Sequence, residues 1–120
     1  MILSSLQSNI NKLNSFRDLP DNWNGIGGEK IDNDVINTSL SIIPLLSHQP
    51  HVFPTGRGSV QLEYEKKNGD YLEFEIFKDK RIEMFLSTSD NEISKEIKID
   101  EIVKYVNEFF DMEVGVRYND

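Results

Sequence analysis

The chain lacks cysteine and alanine altogether, and it has only two histidines and one tryptophan in 120 residues. The absence of cysteine excludes a disulfide framework, thiolate chemistry and a zinc–thiolate site. No apolar run approaches the roughly 20 residues that a membrane-spanning helix needs. The first residues, MILSSLQSNINKL, also lack the basic flank and the apolar block of a signal peptide. We therefore expect a cytoplasmic protein with no membrane partner.

Positive charge is scarce as well. There are 13 lysines and arginines against 21 aspartates and glutamates, which gives a net charge of −8. Nucleic-acid phosphates are bound by basic surfaces, so direct nucleic-acid binding is not expected. An acidic surface suits a basic protein partner, although it also serves solubility alone. The length is that of a single domain, residues 1–120.

The clearest pattern lies between Gly58 and Ser87, where three runs alternate apolar and polar side chains. The apolar members are Val60, Leu62, Tyr64, Leu72, Phe74, Ile76, Ile82, Met84 and Leu86. Alternation with a period of two indicates antiparallel strands with one buried face and one wet face.

Helical spacing of apolar residues predicts helices over residues 4–17, 32–43 and 100–110, and residues 92–99 are compatible with a fourth strand at the sheet edge. The predicted fold is α+β: two N-terminal helices, an antiparallel meander of three or four strands, and a C-terminal helix packed on one sheet face. The last apolar residues suit a further short strand or an ordered tail: Val114, Val116 and Tyr118.

The turn at Asn68-Gly69 decides the register of the first two strands of this meander. A two-residue hairpin would set Tyr64, a core residue, opposite Glu73. A three-residue loop with Gly69 in the left-handed region shifts the pairing by one residue and sets Tyr64 opposite Leu72. We predict the three-residue loop.

This register gathers four carboxylates and two aromatic side chains on the wet face: Glu63, Glu73, Glu75, Glu83, Tyr71 and Phe85. It sets Glu63 opposite Glu73 and, if Lys78 to Lys80 forms the next turn, Glu75 opposite Glu83. Like charges side by side are mildly destabilising. The face is therefore either a solvated surface or an acidic patch with aromatic anchors that docks on a basic partner.

The glycine-rich segment LPDNWNGIGGEKI, residues 19–31, contains the only tryptophan, Trp23. Its Gly-x-Gly-Gly run lacks the strand before and the helix straight after that a phosphate-binding loop requires. Trp23 either plugs one end of the core or belongs to a recognition loop.

The segment SHQPHVFPTGRG, residues 47–58, is predicted to be an extended linker because proline disfavours helix before it. His48 and His51 stand three residues apart, but no nearby carboxylate or cysteine completes a ligand set. We expect neither a metal nor a cofactor.

Three pieces of the chain resemble a loosely defined set of small bacterial and phage proteins with no established activity. The pieces are Leu19-Pro20-x-x-Trp23-x-Gly25-x-Gly27, a helix, and Pro50-x-x-x-Pro54-x-x-x-Gly58-Ser59-Val60-Gln61-Leu62-Glu63-Tyr64. The set often has tryptophan where this chain has Tyr64, and the resemblance covers about residues 6–85. Members occur beside mobile-element and toxin–antitoxin-like genes. The resemblance implies this topology, a bacterial or phage origin and a partner-binding role, and it carries over no catalytic residue.

No nucleophile-elbow pattern or other catalytic signature is present. We therefore expect a small, acidic, non-catalytic protein-binding module, antitoxin- or immunity-like, whose contact residues are the six of the wet face together with Trp23. The alternatives are a structural protein that forms a homodimer and has no electrostatic partner, or a carboxylate-based, metal-dependent enzyme.

Overall fold

A computed structural model describes residues 3–115. The α+β class is confirmed in this range. The helices are α1 (Ser5–Ser15), α2 (Asn33–Ile42) and α3 (Ile102–Gly115), and the strands are β1 (His51–Pro54), β2 (Val60–Glu65), β3 (Tyr71–Ile76), β4 (Ile82–Ser87) and β5 (Glu92–Ile97). Short 3-10 turns follow α1 and α2 and precede α3.

The strands form one antiparallel sheet whose spatial order is the chain order, β1 to β5. The predicted number of three or four strands is therefore wrong. The missed strand is β1, which lies in the predicted linker and pairs with β2 so that Val52 faces Leu62. Prolines at both ends confine β1 to four residues, which hides its alternation, and Pro54 is tolerated because an edge strand leaves one side of its backbone unpaired.

The predicted register of β2 and β3 is confirmed. Tyr64 faces Leu72, and Gly69 closes the three-residue loop with φ at 94°. The Lys66 N–H donates to the Asp70 carbonyl at 2.9 Å, which closes the hairpin. The turn between β3 and β4 has the same length and places a non-glycine residue, Lys80, in the left-handed region with φ at 64°.

All three helices pack on one face of the sheet. Phe16 from α1's end, Val35 from α2 and Phe109 from α3 belong to the same buried cluster as Leu62 and Phe74 of the sheet. The opposite face, which we call the open face, consists of the outward-pointing residues His51, Phe53, Gln61, Glu63, Glu65, Tyr71, Glu73, Glu75, Glu83, Phe85, Ser87, Glu92, Ser94 and Glu96.

The helix ends differ slightly from expectation. Ser4 caps α1 by accepting a hydrogen bond from the Gln7 N–H at 3.1 Å. Asp100, the first residue of the predicted helix 100–110, lies instead in the 3-10 turn Ile99–Glu101 that precedes α3. The N-cap of this turn is Lys98, whose N–H donates to the Glu101 carboxylate at 2.9 Å. Val114 lies in α3 rather than in a strand, and the remaining residues of the predicted tail lie outside the described range.

A lysine lies inside the core, which the sequence did not predict. Lys66 is only 7% exposed, its ammonium donates to the Phe109 carbonyl, and it sits 4.2 Å from the centroid of the Phe109 ring. A buried cation needs such partners to offset lost hydration. Lys66 therefore ties the end of β2 to α3.

The outer edge of the sheet is β5, and a lysine points inward from it. Ile93, Lys95 and Ile97 face the same side as the core residues of β4. The Lys95 ammonium lies 4.8 Å from the centroid of the Tyr105 ring. An inward-pointing charge on an edge strand opposes pairing with another strand, because docking a second chain would desolvate it. This arrangement disfavours a homodimer formed through β5.

Replacing that lysine tests its role at the edge. Lys95→Ile places an apolar side chain next to Ile93, which is 39% exposed, and so enlarges the apolar surface at β5. We expect this variant to self-associate, with a weight-average mass that rises with concentration in sedimentation equilibrium. Lys104→Ile, on the exposed side of α3, is the matched control and should behave as the parent chain. Equal behaviour of the two variants would contradict the account.

Candidate functional site

The open face carries two rows of side chains that cross β2 to β5. One row consists of Glu63, Glu73, Phe85 and Ser94, and the other of Gln61, Glu75, Glu83 and Glu96. Both predicted glutamate pairs, 63 with 73 and 75 with 83, are confirmed as direct cross-strand neighbours. Glu96 was not predicted to belong here, although the alternation of Ile93 and Ile97 places it on the open face.

Tyr71 and Phe85 lie side by side on this face, as predicted. Their ring centroids are 6.2 Å apart, and the ring planes meet at 56°. The Tyr71 hydroxyl donates to Glu73 Oε1 at 2.7 Å. Burial, followed by the hydrogen bonds to Glu73 and Glu63, raises the pKa of Tyr71 well above its usual value. Tyr71 therefore remains a protonated donor that orients Glu73 at neutral pH.

Glu75 does not belong to an exposed acidic patch, and this part of the prediction is corrected. Its side chain is only 10% exposed. Arg57 donates to both of its oxygens, from Nε at 2.9 Å and from Nη2 at 3.0 Å, and Ser59 Oγ donates at 2.5 Å. The hydrogen bond to Glu75 and its charge raise the pKa of Arg57. This carboxylate is neutralised within the protein and is not offered to a partner.

The turn between β1 and β2 positions Arg57 for this contact. The Arg57 N–H donates to Thr55 Oγ1 at 3.1 Å, and Thr55 Oγ1 lies 2.6 Å from Ser59 Oγ. Gly58 has φ at 77°, and a Cβ there would approach the Lys30 carbonyl to 3.2 Å. The sequence analysis did not find this contact, because Arg57 and Glu75 are 18 residues apart and leave no local signal.

The other carboxylates of the open face differ in their counterions. Glu83 is exposed and pairs with Arg81, whose guanidinium carbon lies 3.9 Å from the Phe77 ring centroid. Within residues 3–115, the remaining glutamates of the open face take part in no salt bridge: Glu63, Glu65, Glu73, Glu92 and Glu96. A shallow cleft of about 480 Å³ opens between these strands. Its lining includes Glu73, Glu75, Glu83, Phe85, Ser94 and Glu96.

Trp23 closes its own loop instead of plugging the core. Its Nε1–H donates to the Glu29 carbonyl at 2.9 Å, and its side chain is half-buried. It is not among the side chains that form the core or pack against it. Of the two interpretations of the sequence, the core plug is therefore wrong, and the recognition loop stays a prediction.

Of the two histidines, only His51 lies beside the two rows of side chains on the open face. His48 stacks on Phe110 with centroids 3.7 Å apart, and His51 faces Glu63 across the edge of the sheet. In the described part of the chain, no three His, Asp or Glu side chains are grouped so as to hold a metal ion. No helix in that part has the length and apolar character to cross a bilayer.

Comparisons with models of known families, with curated proteins and with solved structures found no match for this chain.

The paired state of Glu75 generates a stability prediction. Glu75→Lys places an ammonium beside Arg57 in a nearly buried position, and we expect it to lower the free energy of unfolding by at least about 2 kcal/mol. Glu83→Lys, directly across the strand but exposed, should change it by about 0.5 kcal/mol or less. Urea denaturation of both variants measures the difference. Equal effects would show that Glu75 is as accessible as its neighbour.

Proposed function

We propose that the chain is a non-catalytic protein-binding module that docks a basic partner protein on its open face, as an antitoxin or immunity protein does. The observation that carries the proposal is that Glu63, Glu73 and Glu96 have no ion pair in the described residues and lie on the same face as the Tyr71–Phe85 aromatic pair. No helix packs over this group, because all three helices lie on the other side.

Electrostatics supports a basic partner. Each directly opposed pair of glutamates destabilises the sheet by roughly a few tenths of a kcal/mol. A cationic surface placed over the open face offsets this repulsion. Part of the binding free energy therefore comes from relief of the repulsion between glutamates in the unbound protein. Complementary charge also speeds association and excludes acidic competitors, among them nucleic acid.

The aromatic pair supplies what charge alone does not. Exposed carboxylates are strongly hydrated, and their pairing across an interface contributes specificity more than affinity. Tyr71 and Phe85 are half-buried and already held against each other, so they lose little side-chain freedom on binding. Aromatic residues of this kind are frequent among the side chains that dominate interface energies.

The alternatives fit less well. An enzyme based on these carboxylates would need the most buried one, Glu75, as a base or a metal ligand, but Arg57 and Ser59 occupy its oxygens. A homodimer through the open face would bring two sets of glutamates together, and a homodimer through β5 meets the inward-pointing Lys95.

Charge reversal on the open face tests the proposal. Glu83→Lys with Glu96→Lys changes two exposed cross-strand neighbours and leaves Glu75 in place. In a pull-down from lysate of the source cells at about 50 mM salt, we expect this variant to capture at least about tenfold less of the basic protein than the parent chain does. The parent chain should lose the same protein at about 500 mM salt, where exposed charges are screened.

The matched control is Asp18→Lys with Asp111→Lys, which makes the same charge change at two exposed residues on the helical side. It should capture the partner as the parent chain does. Equal loss in both variants would reduce the effect to net charge, and retention of the partner by the open-face variant would refute docking on that face.

A further inference from the structure

The loop that contains Trp23 presents an apolar side chain at its tip. We call residues 20–30 the Trp23 loop. Ile26, in this loop, is 87% exposed, more than any other large apolar side chain in the described part of the chain. Single exposed apolar residues are common on protein surfaces and need no explanation by themselves. What sets Ile26 apart is the backbone that carries it.

Six consecutive backbone N–H groups of the Trp23 loop, those of residues 25–30, are all hydrogen-bonded. The Asn22 side chain accepts from Gly27 at 2.6 Å, and the Asn22 carbonyl accepts from Gly25 at 3.0 Å. Asn24 Oδ1 accepts from both Ile26 at 3.0 Å and Gly28 at 2.8 Å. The Glu29 N–H donates to the Gly56 carbonyl at 3.0 Å, and the Lys30 N–H donates to Asp21 Oδ1 at 3.1 Å. The backbone of the loop is therefore held by its own residues and by one contact with Gly56.

The loop conformation also requires backbone angles and close contacts that few residues other than glycine and asparagine tolerate. Asn22 has φ at 63°, Gly25 at 77° and Gly27 at 86°. A Cβ on Gly28 would come within 2.7 Å of the Asn24 side chain. None of these constraints involves the side chain of Ile26, which lies outside the core cluster. The loop backbone thus keeps the Ile26 side chain exposed to solvent, and this side chain does not contribute to the core.

A rigid loop with an apolar tip is suited to binding. Ordering a flexible loop at an interface opposes association, and a loop that is ordered beforehand avoids this cost. Burying one large apolar side chain in a partner's pocket then contributes nearly its full transfer free energy. Such side chains at the centre of a pocket are typical of interface hot spots.

The Trp23 loop lies beside one end of the sheet. A groove of about 670 Å³ separates them, with Glu29 and Lys30 on the loop side and Arg57, Ser59 and Arg81 on the sheet side. Arg57 spans the two, because it lines the groove and binds Glu75 beneath the open face. A protein that covers both the open face and this groove therefore also contacts the loop.

We propose that Ile26 is the apolar anchor of this interface and fills an apolar pocket on the same basic partner protein that binds the open face. The inference rests on the proposed function. A lipid bilayer is the less suitable target, because the carboxylates of Asp21 and Glu29 lie in the same loop and oppose approach to an anionic membrane.

Site-specific photo-crosslinking separates this inference from the proposed function. A benzophenone amino acid is introduced at residue 26, at residue 85 of the open face, or at Leu45. Leu45 is the matched control, since it is an apolar residue 66% exposed in the turn after α2. We expect residues 26 and 85 to crosslink to the same basic protein and residue 45 to crosslink to none. A crosslink at 85 but not at 26 overturns the inference alone, and no crosslink at either overturns both.

Affinity measurements with the purified crosslinked partner then test the anchor itself. Ile26→Ser should weaken binding by at least about tenfold. Because the contact is apolar, the loss should be the same at about 50 mM and about 300 mM salt, whereas Glu83→Lys with Glu96→Lys should matter mainly at the lower salt. Leu45→Ser should have no effect. An unchanged affinity for Ile26→Ser, or Ile26-dependent flotation of the chain with anionic phospholipid vesicles, would overturn the inference.

Discussion

The register between β2 and β3 is the constraint on which both faces of this sheet depend. The loop ending at Gly69 sets Tyr64 opposite Leu72, and this pairing carries the alternation of both strands with it. A slip of one residue would turn Glu73 into the core and Phe74 into water. The second turn, which ends at Lys80, repeats the same length and transmits the register to β4. One turn geometry thus separates an apolar face for the helices from an acidic face for solvent.

The carboxylates of the open face are not equivalent, because some have a counterion within the chain and others have none. Arg57 and Arg81 supply counterions to Glu75 and Glu83. The carboxylates of the open face that have no ion pair in residues 3–115 are Glu63, Glu65, Glu73, Glu92 and Glu96. The Trp23 loop borders the same surface across a single groove, with Ile26 at its tip. An acidic field, two aromatic rings and a rigid apolar tip together form a surface that one protein partner can cover.

Local patterns predicted most of this fold. Alternation with a period of two identified β2, β3 and β4, and the requirement that core residues face each other chose the correct loop at Gly69. What the sequence could not show were contacts between distant segments. Arg57 meets Glu75 across 18 residues, and Lys66 meets the Phe109 carbonyl across 43 residues, so neither pair leaves a periodic signal. β1 was missed because it has only four residues, His51–Pro54, which are too few to display alternation.

The candidate site was predicted in outline and corrected in chemistry. Strand parity placed Glu63, Glu73, Glu75 and Glu83 on one face, but parity says nothing about which carboxylate is buried or paired. Glu75 is not part of the site, because Arg57 and Ser59 donate to its carboxylate. Glu96 of β5 does belong to the site, because it lies beside Glu83 on the open face. Trp23 shows the same limit: composition marked its loop as unusual, yet only the hydrogen bonds of Asn22 and Asn24 show that the loop is rigid.

Carboxyl footprinting tests the central claim, that the open face is where a basic protein docks, most directly. The chain is labelled with a water-soluble carbodiimide and an amine, alone and bound to its captured partner, and each modified residue is quantified by mass spectrometry. Docking on the open face predicts that labelling of Glu63, Glu73 and Glu96 falls on binding, while Asp18 and Asp111 on the helical side are labelled as before. Unchanged labelling of the three glutamates, with protection on the helices instead, would contradict it.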